Sequence, residues 1–207
     1  SCCGDNALGF SMIGEDYKFV QGHVAEADLG LGCGVPTQFA NIREGDHILD
    51  LGSGAGNDCF VARSLTGSKG RVVGIDFTES MVEKARLNNS KLGFDNVEFV
   101  QGDIESMPLT DSQFDVVISN CVLNLVPDKR KAYAEIMRVL KPGGHFCVSD
   151  VVLVGELPAK LRESAEMYVG CVAGALNRDA YMEIIVETGF SDVVIHKERL
   201  IEIPKHI

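Results

Sequence analysis

Short apolar runs alternate with longer amphipathic stretches through most of the chain after residue 46. Short apolar runs bounded by glycine or polar residues are typical of buried strands in a parallel sheet, and apolar residues at every third or fourth position are typical of helices. The pattern predicts strands at 46–51, Arg71–Asp76, Val97–Gln101, 114–119, 145–150 and 192–196, with a short seventh at 201–203. It predicts helices at 57–66, Glu79–Leu92, 128–140 and 178–188, with Thr78 as an N-cap and Gly93 as a C-terminal stop.

This order of elements indicates an α/β fold, a doubly wound and mainly parallel sheet with helices on both faces and right-handed crossovers. Residues 1–40 are glycine-rich and poorly periodic, so we interpret them as an N-terminal arm with short helices near 24–28 and 36–40. Residues 153–176 interrupt the alternation and are expected to form a helical insertion after strand five. The whole of 1–207 is therefore predicted to be one domain, with its core at 41–152 and a C-terminal helix and strand at 177–207.

Composition narrows the class of protein further. The chain has 207 residues, a net charge of −11 and no basic block, so neither nucleic acid nor an anionic membrane is an expected partner. It has no apolar run of membrane-spanning length and no signal peptide, which favours a cytoplasmic location. Seven cysteines are an odd number for a disulfide framework, and the sequence has neither Cys-x-x-Cys nor His-x-x-x-His zinc-ligand spacing.

A glycine-rich turn separates the first strand from the first helix. Its sequence is Asp50-Leu51-Gly52-Ser53-Gly54-Ala55-Gly56, in which the glycines stand at every second position. A dinucleotide fingerprint would need G-x-G-x-x-G, and Asn57 stands where its third glycine belongs. The carboxylate of Asp50 would repel a pyrophosphate but would hold an ammonium group, which S-adenosylmethionine carries.

Polar residues also follow the other predicted strands, at the sheet edge where doubly wound proteins bind ligands. Asp76 ends strand two and suits a ribose diol, Phe77 and Met81 can flank a flat base, and Asp103 can accept from an adenine amino group. Each acid taken alone fits equally well as a helix cap or a solvated turn. The predicted cofactor-binding set is Asp50, Gly52, Ser53, Gly54, Gly56, Asp58, Asp76, Phe77, Met81, Gly102, Asp103, Ile104 and Asn120.

The D-x-G-x-G-x-G spacing resembles the first motif of the class I S-adenosylmethionine-dependent methyltransferases. This resemblance implies a Rossmann-like fold and S-adenosylmethionine as the cofactor. A glycine-rich turn of another α/β protein is the alternative. The turn Lys141-Pro142-Gly143-Gly144-His145 before strand five resembles the same family.

Three cysteines far apart in sequence are predicted to meet at this edge. Cys121 follows strand four, Cys171 lies in the insertion after strand five, and Cys33 lies in the arm that must cross the edge to reach strand one. Cys33 and Cys171 are flanked by glycines in irregular segments, which disfavours a core role. Cys59 and Cys147 lie in apolar surroundings and are interpreted as small buried hydrophobes.

The motifs around these cysteines resemble those of the arsenite S-adenosylmethionine methyltransferases: Gly32-Cys33-Gly34, the segment from Asn120-Cys121 to Lys129, Glu156-Leu157-Pro158, Gly170-Cys171-Val172 and the vicinal Cys2-Cys3. The resemblance implies that Cys33, Cys121 and Cys171 bind trivalent arsenic, as arsenite or methylarsenite, and that a fourth, N-terminal cysteine takes part in turnover. Soft trivalent arsenic binds three thiolates and keeps a lone pair that can attack the sulfonium methyl. No general base is needed, and the sequence indicates no catalytic carboxylate near Cys121.

The N-terminal cysteine pair is interpreted as a source of electrons. Methyl transfer formally oxidises arsenic. The formation of a disulfide between Cys33 and Cys3 or Cys2 returns two electrons to arsenic, and an external thiol of the thioredoxin or glutathione type then reduces that disulfide. We favour Cys3, with Cys2 as a relay, although spacing does not decide between them; a terminus without a role is the alternative. Two other functions remain open: a small-molecule C- or O-methyltransferase of this fold, and a thiol-based metalloid-binding or zinc-binding module.

Overall fold

Five strands form one parallel sheet in the computed structural model, which describes residues 17–155, 172 and 174–200. The strands are β1 (His47–Leu51), β2 (Arg71–Asp76), β3 (Val97–Gln101), β4 (Phe114–Asn120) and β5 (Leu140–Ser149). Their order across the sheet is β3-β2-β1-β4-β5, and every described pair is parallel. Since β1 lies between β2 and β4, the strand order reverses at β1, and the glycine-rich turn after β1 lies at this switch point.

Four α-helices within the described residues connect and cover the strands: α1 (Asn57–Thr66), α2 (Glu79–Leu92), α3 (Lys129–Val139) and α4 (Arg178–Glu187). On β1, Leu49 and Leu51 join a buried cluster with α3 and α4, whereas Ile48 joins a second cluster with α1 and α2. This alternation follows from the two-residue period of a strand. The predicted fold, with helices on both faces of a parallel sheet, is confirmed.

The helix termini show how closely local sequence sets the boundaries. Gly93 ends α2 in the left-handed conformation with φ 68°, and its N–H donates to the Asn89 carbonyl, as predicted. Thr78 occupies the predicted N-cap position of α2, but its side chain makes no capping hydrogen bond. The Asp128 side chain does cap α3, because it accepts the N–H of Lys131 at 3.1 Å.

The structure corrects several predicted elements. Residues 192–196 form no strand, because this run pairs with no strand among the described residues, and Val194 is 66% exposed. Residues 24–28 form a hydrogen-bonded turn instead of a helix, and the second arm helix is the 3-10 helix Pro36–Gln38. Strand β5 begins earlier than predicted, since Leu140 already pairs with Phe114 and a register shift follows. The predicted seventh strand and most of the insertion lie outside the described residues.

The described part of the arm lies against α1. Tyr17 is buried, the Val24 N–H lies 3.3 Å from the Asn57 side-chain oxygen, and a side chain on Gly22 would collide with Ser64. The arm therefore passes close to the glycine-rich turn before entering β1. Within the described residues, no helix combines the length and the apolar character needed to cross a bilayer.

The two N-caps make a matched test of local stability. Asp128→Ala removes an observed capping hydrogen bond and should lower the free energy of unfolding by about 1 kcal/mol. Thr78→Ala removes no side-chain cap and should cost clearly less. Urea unfolding followed by circular dichroism measures both, and equal losses would contradict this account of the caps.

Candidate active site

The glycine-rich turn follows β1 at the carboxyl edge of the sheet. Gly52, Gly54 and Gly56 all have positive φ, at 67°, 52° and 98°. Such angles favour glycine, and a Cβ at Gly52 would also lie 2.4 Å from the Val122 side chain. The N–H groups of Gly52 and Ser53 both donate to the Ile75 carbonyl, at 2.8 and 3.0 Å. The turn is thus fixed to the end of β2.

Asp76 fixes the other side of this turn. One carboxylate oxygen accepts the Gly54 N–H at 2.9 Å and the other accepts the Thr78 N–H at 2.9 Å. The next residue, Phe77, is 74% exposed. The Ser53 hydroxyl is buried and has no hydrogen-bond partner in the part of the chain that the structure describes. An oriented carboxylate, an exposed ring and an unpaired hydroxyl therefore lie around one turn.

Two carboxyl groups lie beside the turn, of which Asp50 is buried and Asp58 is half-buried. Asp50 is 2% exposed and accepts a hydrogen bond from the Cys59 thiol at 3.2 Å. Asp58 accepts from the Tyr17 hydroxyl at 2.6 Å and from the Asn120 amide at 3.0 Å. Burial raises the pKa of both acids, and the neighbouring Asp58 raises the pKa of Asp50 further. Burial, with Asp50 nearby, also raises the pKa of Cys59.

Neither Asp50 nor Asp58 forms an ion pair with a lysine, arginine or histidine among the described residues. A cationic ligand would relieve the repulsion between these acids and restore their charged forms. The two carboxyl groups thus fit the ammonium group of S-adenosylmethionine, which would donate hydrogen bonds to them.

The remaining predicted cofactor residues lie at the ends of β2 and β3. The Gly102 N–H donates to the Asp76 carbonyl at 3.0 Å, and exposed Asp103 accepts the Glu105 N–H at 2.8 Å. Ile104 is buried in the core, and Met81 is half-buried at the start of α2. The contacts of these four residues with the adenosine part of S-adenosylmethionine remain predictions.

The side chain of Asn120 links the arm to the end of β4. Its Oδ1 accepts the Cys33 N–H at 2.9 Å and lies 3.3 Å from the Gly34 nitrogen. Its Nδ2 lies 2.8 Å from the Gly34 carbonyl, 2.8 Å from the Tyr17 hydroxyl and 3.0 Å from Asp58. This amide therefore fixes the Cys33 segment next to the turn that precedes α1.

Tyr17 belongs to this network although sequence analysis did not single it out. Its hydroxyl donates to Asp58, and burial beside that acid raises its pKa, so the hydroxyl keeps its proton. No motif surrounds Tyr17 in the sequence, and its partner Asp58 is 41 positions away.

Two of the three predicted arsenic-binding cysteines meet at this edge. Cys33 and Cys121 are joined in a disulfide with a Cα–Cα distance of 5.3 Å. Cys121 is 6% exposed, has φ 61°, and donates its N–H to the Ser149 carbonyl at 2.8 Å. Cys2, Cys3 and Cys171 lie outside the described residues, so the third ligand and the N-terminal pair stay predictions. Sequence analysis did not predict that Cys33 would pair with Cys121.

The remaining two cysteines are not part of this pair. Cys59 is fully buried, as predicted. Cys147 is only half-buried; its thiol lies 3.3 Å from the Pro36 carbonyl, and burial raises its pKa to about 11.

Asp150 corrects the expectation that no carboxylate lies near Cys121. One of its oxygens and the sulfurs of Cys33 and Cys121 all lie within 4.8 Å of one another. The reason is the parallel register, in which Asn120 pairs with Ser149 and the next residue of each strand therefore falls alongside. Burial raises the pKa of Asp150 to about 7, although Tyr181, the Val151 N–H and Lys129 favour its charged form.

This geometry agrees with what the chain resembles. Residues 42–189 match a family model described as a methyltransferase domain. The chain belongs to the methyltransferase family. This methyltransferase is 44% identical over 196 residues to the arsenite methyltransferase of Halobacterium salinarum, covering 94% of this chain and 50% of that protein. It is 41% identical over 173 residues to the human arsenite methyltransferase, covering 79% and 45%.

Structural comparison gives the same result. The crystal structure of CrArsM, an arsenic(III) S-adenosylmethionine methyltransferase from Chlamydomonas reinhardtii, matches with a TM-score of 0.69 at 43% identity, covering 78% of this chain and 56% of that chain. The resemblance to arsenite methyltransferases and the class I fold are thereby confirmed. The chain spans about half the length of the curated relatives it matches. A ubiquinone/menaquinone biosynthesis C-methyltransferase of Francisella philomiragia is 41% identical over 109 residues, covering 52% of this chain and 43% of that protein.

The buried acids predict how stability depends on pH. The pKa of Asp150 is about 7 in the folded state, above the usual value of 3.8 that applies in the unfolded state. The free energy of unfolding should therefore fall as the pH rises from 4 to 7 and stay at the lower level above pH 7. The share of Asp150 is on the order of 4 kcal/mol. Asp150→Asn should flatten this part of the profile, whereas Asp192→Asn, at an exposed carboxylate, should not. Chemical unfolding at a series of pH values measures both slopes; identical profiles for Asp150→Asn and the parent would contradict the assignment.

Proposed function

We propose that this methyltransferase transfers a methyl group from S-adenosylmethionine to trivalent arsenic, as arsenite or methylarsenite, bound by Cys33, Cys121 and Cys171. The observation that carries the proposal is the meeting of Cys33 and Cys121, 88 positions apart, at the sheet edge that also holds the glycine-rich turn. Two thiols that can reach bonding distance form a site for a soft, thiophilic element. The arsenite methyltransferases that this chain resembles support the same substrate.

The residues around the turn fit three parts of the cofactor: its ammonium group, its ribose and its base. Asp50 and Asp58 would hold the ammonium group, since they are a buried and a half-buried acid with raised pKa values and no cationic partner among the described residues. Asp76 would hold the ribose with a carboxylate already oriented by two backbone N–H groups. Phe77 is exposed and available to cover the base. When bound, S-adenosylmethionine would supply an electrophilic methyl group, which the lone pair of thiolate-bound arsenic could attack as the carbon–sulfur bond breaks.

The protein itself acts mainly by positioning. Asn120 contacts both the Cys33 segment and Asp58, so one side chain relates the thiol site to the proposed ammonium site. Holding two reactants in a fixed orientation can supply roughly 7–11 kcal/mol of a barrier. Arsenic loses no proton when it is methylated, and the mechanism therefore assigns no general base.

The cysteines also account for the electrons. Methylation raises arsenic formally from the trivalent to the pentavalent state, and two thiols that join in a disulfide return two electrons to it. Cys33 and Cys121 can form such a disulfide; the bond between Cys33 and Cys2 or Cys3 remains a further prediction. In either case Cys33 and Cys121 must be reduced before they bind arsenic, which requires an external thiol of the thioredoxin or glutathione type.

C-methylation of a small molecule is the second candidate. It is favoured by the similarity to the quinone-pathway C-methyltransferase and by Asp150, a half-buried carboxyl with a raised pKa that can act as a base at this edge. That similarity covers 52% of the chain, against 94% for the archaeal arsenite methyltransferase, and it gives the paired cysteines no role. A binding module without transferase activity is the third possibility, and it would transfer no methyl group.

Cysteine replacement tests the metalloid site. Cys33→Ser, Cys121→Ser and Cys171→Ser should each abolish transfer of labelled methyl from S-adenosylmethionine to arsenite in excess thiol, because arsenic would lose a soft ligand. Cys147→Ser is the matched control and should retain activity, since its thiol faces the Pro36 carbonyl. Oxygen-only arsenic coordination in the X-ray absorption spectrum of the reduced parent protein would refute the site.

Asp76→Ala tests the cofactor site. Loss of this carboxylate should weaken S-adenosylmethionine binding by on the order of 1–3 kcal/mol, because hydrogen bonds to the ribose and to the Gly54 N–H are both removed. Glu83→Ala, at an exposed position on α2, is the control and should bind normally. Calorimetry on folded variants measures the difference, and unchanged affinity for Asp76→Ala would remove this residue from the site.

A further inference from the structure

We infer that Asp150 is a substrate-binding residue that selects hydroxyl-bearing arsenic, by accepting a hydrogen bond from the hydroxyl left on arsenic after Cys33 and Cys121 have bound. The inference rests on the proposed function. Its basis is geometric: one Asp150 oxygen and the sulfurs of both cysteines lie within 4.8 Å of one another. An arsenic atom bound to both sulfurs would therefore have this oxygen as a neighbour.

The stoichiometry of binding explains what the carboxyl would contact. Arsenous acid has three hydroxyl groups. Each thiol that binds replaces one hydroxyl, forming an arsenic–sulfur bond and releasing one water, with no change of oxidation state. After Cys33 and Cys121 have reacted, one hydroxyl remains on arsenic until a third thiol displaces it. A hydroxyl is a hydrogen-bond donor, and a carboxyl oxygen is a strong acceptor for it.

The surroundings of Asp150 hold it in place for this role. Its oxygens accept the Tyr181 hydroxyl at 3.0 Å and the Val151 N–H at 3.1 Å, and the Asn124 N–H also donates to the carboxyl. Tyr133 in turn donates to Tyr181 at 3.1 Å. A carboxylate has about four acceptor positions, so these three donors leave capacity for one more.

Asp150 is also half-buried, which makes an additional donor valuable. A buried acceptor gains more from a hydrogen bond than an exposed one, because water does not compete for it. The nearby Lys129 amine donates instead to the carbonyls of Asn124 and Val126, at 3.3 and 3.2 Å. The arsenic hydroxyl would therefore find an acceptor whose orientation is already fixed.

Two arsenicals separate this role from a general structural one. Arsenite keeps one hydroxyl when two thiols bind it, whereas a phenylarsenical in the trivalent state has only two exchangeable oxygens and keeps none. Asp150 should therefore contribute to arsenite binding and not to phenylarsine oxide binding. The contrast is largest in a Cys171→Ser background, in which no third cysteine from that position displaces the last hydroxyl.

The experiment compares both arsenicals on fully reduced protein by equilibrium dialysis with elemental detection of arsenic. In the Cys171→Ser background, Asp150→Ala should weaken arsenite binding by about tenfold or more, and Asp150→Asn, which keeps one oxygen acceptor, should give an intermediate loss. Both variants should bind phenylarsine oxide as the background protein does. Asp192→Asn serves as the unaffected control. With Cys171 intact, the loss for arsenite should be smaller.

Each contrary result overturns a defined statement. Equal loss of both arsenicals in Asp150→Ala and Asp150→Asn would show that Asp150 only supports the fold of the cysteines, and normal arsenite binding by both variants would remove its role. If phenylarsine oxide bound equally well to a protein with both Cys33→Ser and Cys121→Ser, the proposed function would fail, and this inference with it.

Discussion

The side chain of Asn120 is the contact on which the geometry of the site depends. One amide contacts the backbone of the Cys33 segment, the Tyr17 hydroxyl and the Asp58 carboxyl. It stands at the end of β4, one residue before Cys121, so the same strand end carries the amide and the thiol. An amide suits this position because it both donates and accepts. Its oxygen accepts the Cys33 N–H, and its nitrogen donates to the carbonyl of the next residue, Gly34.

The site also concentrates buried acids where a stability-optimised protein would place apolar residues. Asp50 is buried and Asp58 and Asp150 are half-buried at the carboxyl edge of the sheet, and loss of solvation raises the pKa of each one. Buried carboxyl groups cost folding free energy unless a partner compensates them. Such a cost at a binding site is retained when a ligand provides the compensation, so we interpret these residues as prepared for a cationic and a hydroxyl-bearing ligand.

Local sequence was sufficient for most of the fold and for part of the site. Strands β2 and β3 and helix α2 match their predicted bounds, because each is a periodic run closed by glycine or a polar residue. The run at 192–196 has the same local character, yet it forms no strand because pairing depends on a neighbour that local pattern does not specify. Parallel topology explains why residues after strand ends meet. The register between β4 and β5, which brings Asp150 to Cys121, and the distant contacts of Tyr17 are set by packing that spacing does not encode.

The bond between Cys33 and Cys121 makes a covalent ring of the segment between them, and that ring contains β1, β2, β3 and β4. Closing a loop of this length restricts the unfolded chain and stabilises the native state by roughly 4–5 kcal/mol on a chain-entropy estimate. Reduction opens the ring and frees the thiols at the same time. Under the proposed function, the reduced form that would bind arsenic is thus also the form with the lower thermal stability.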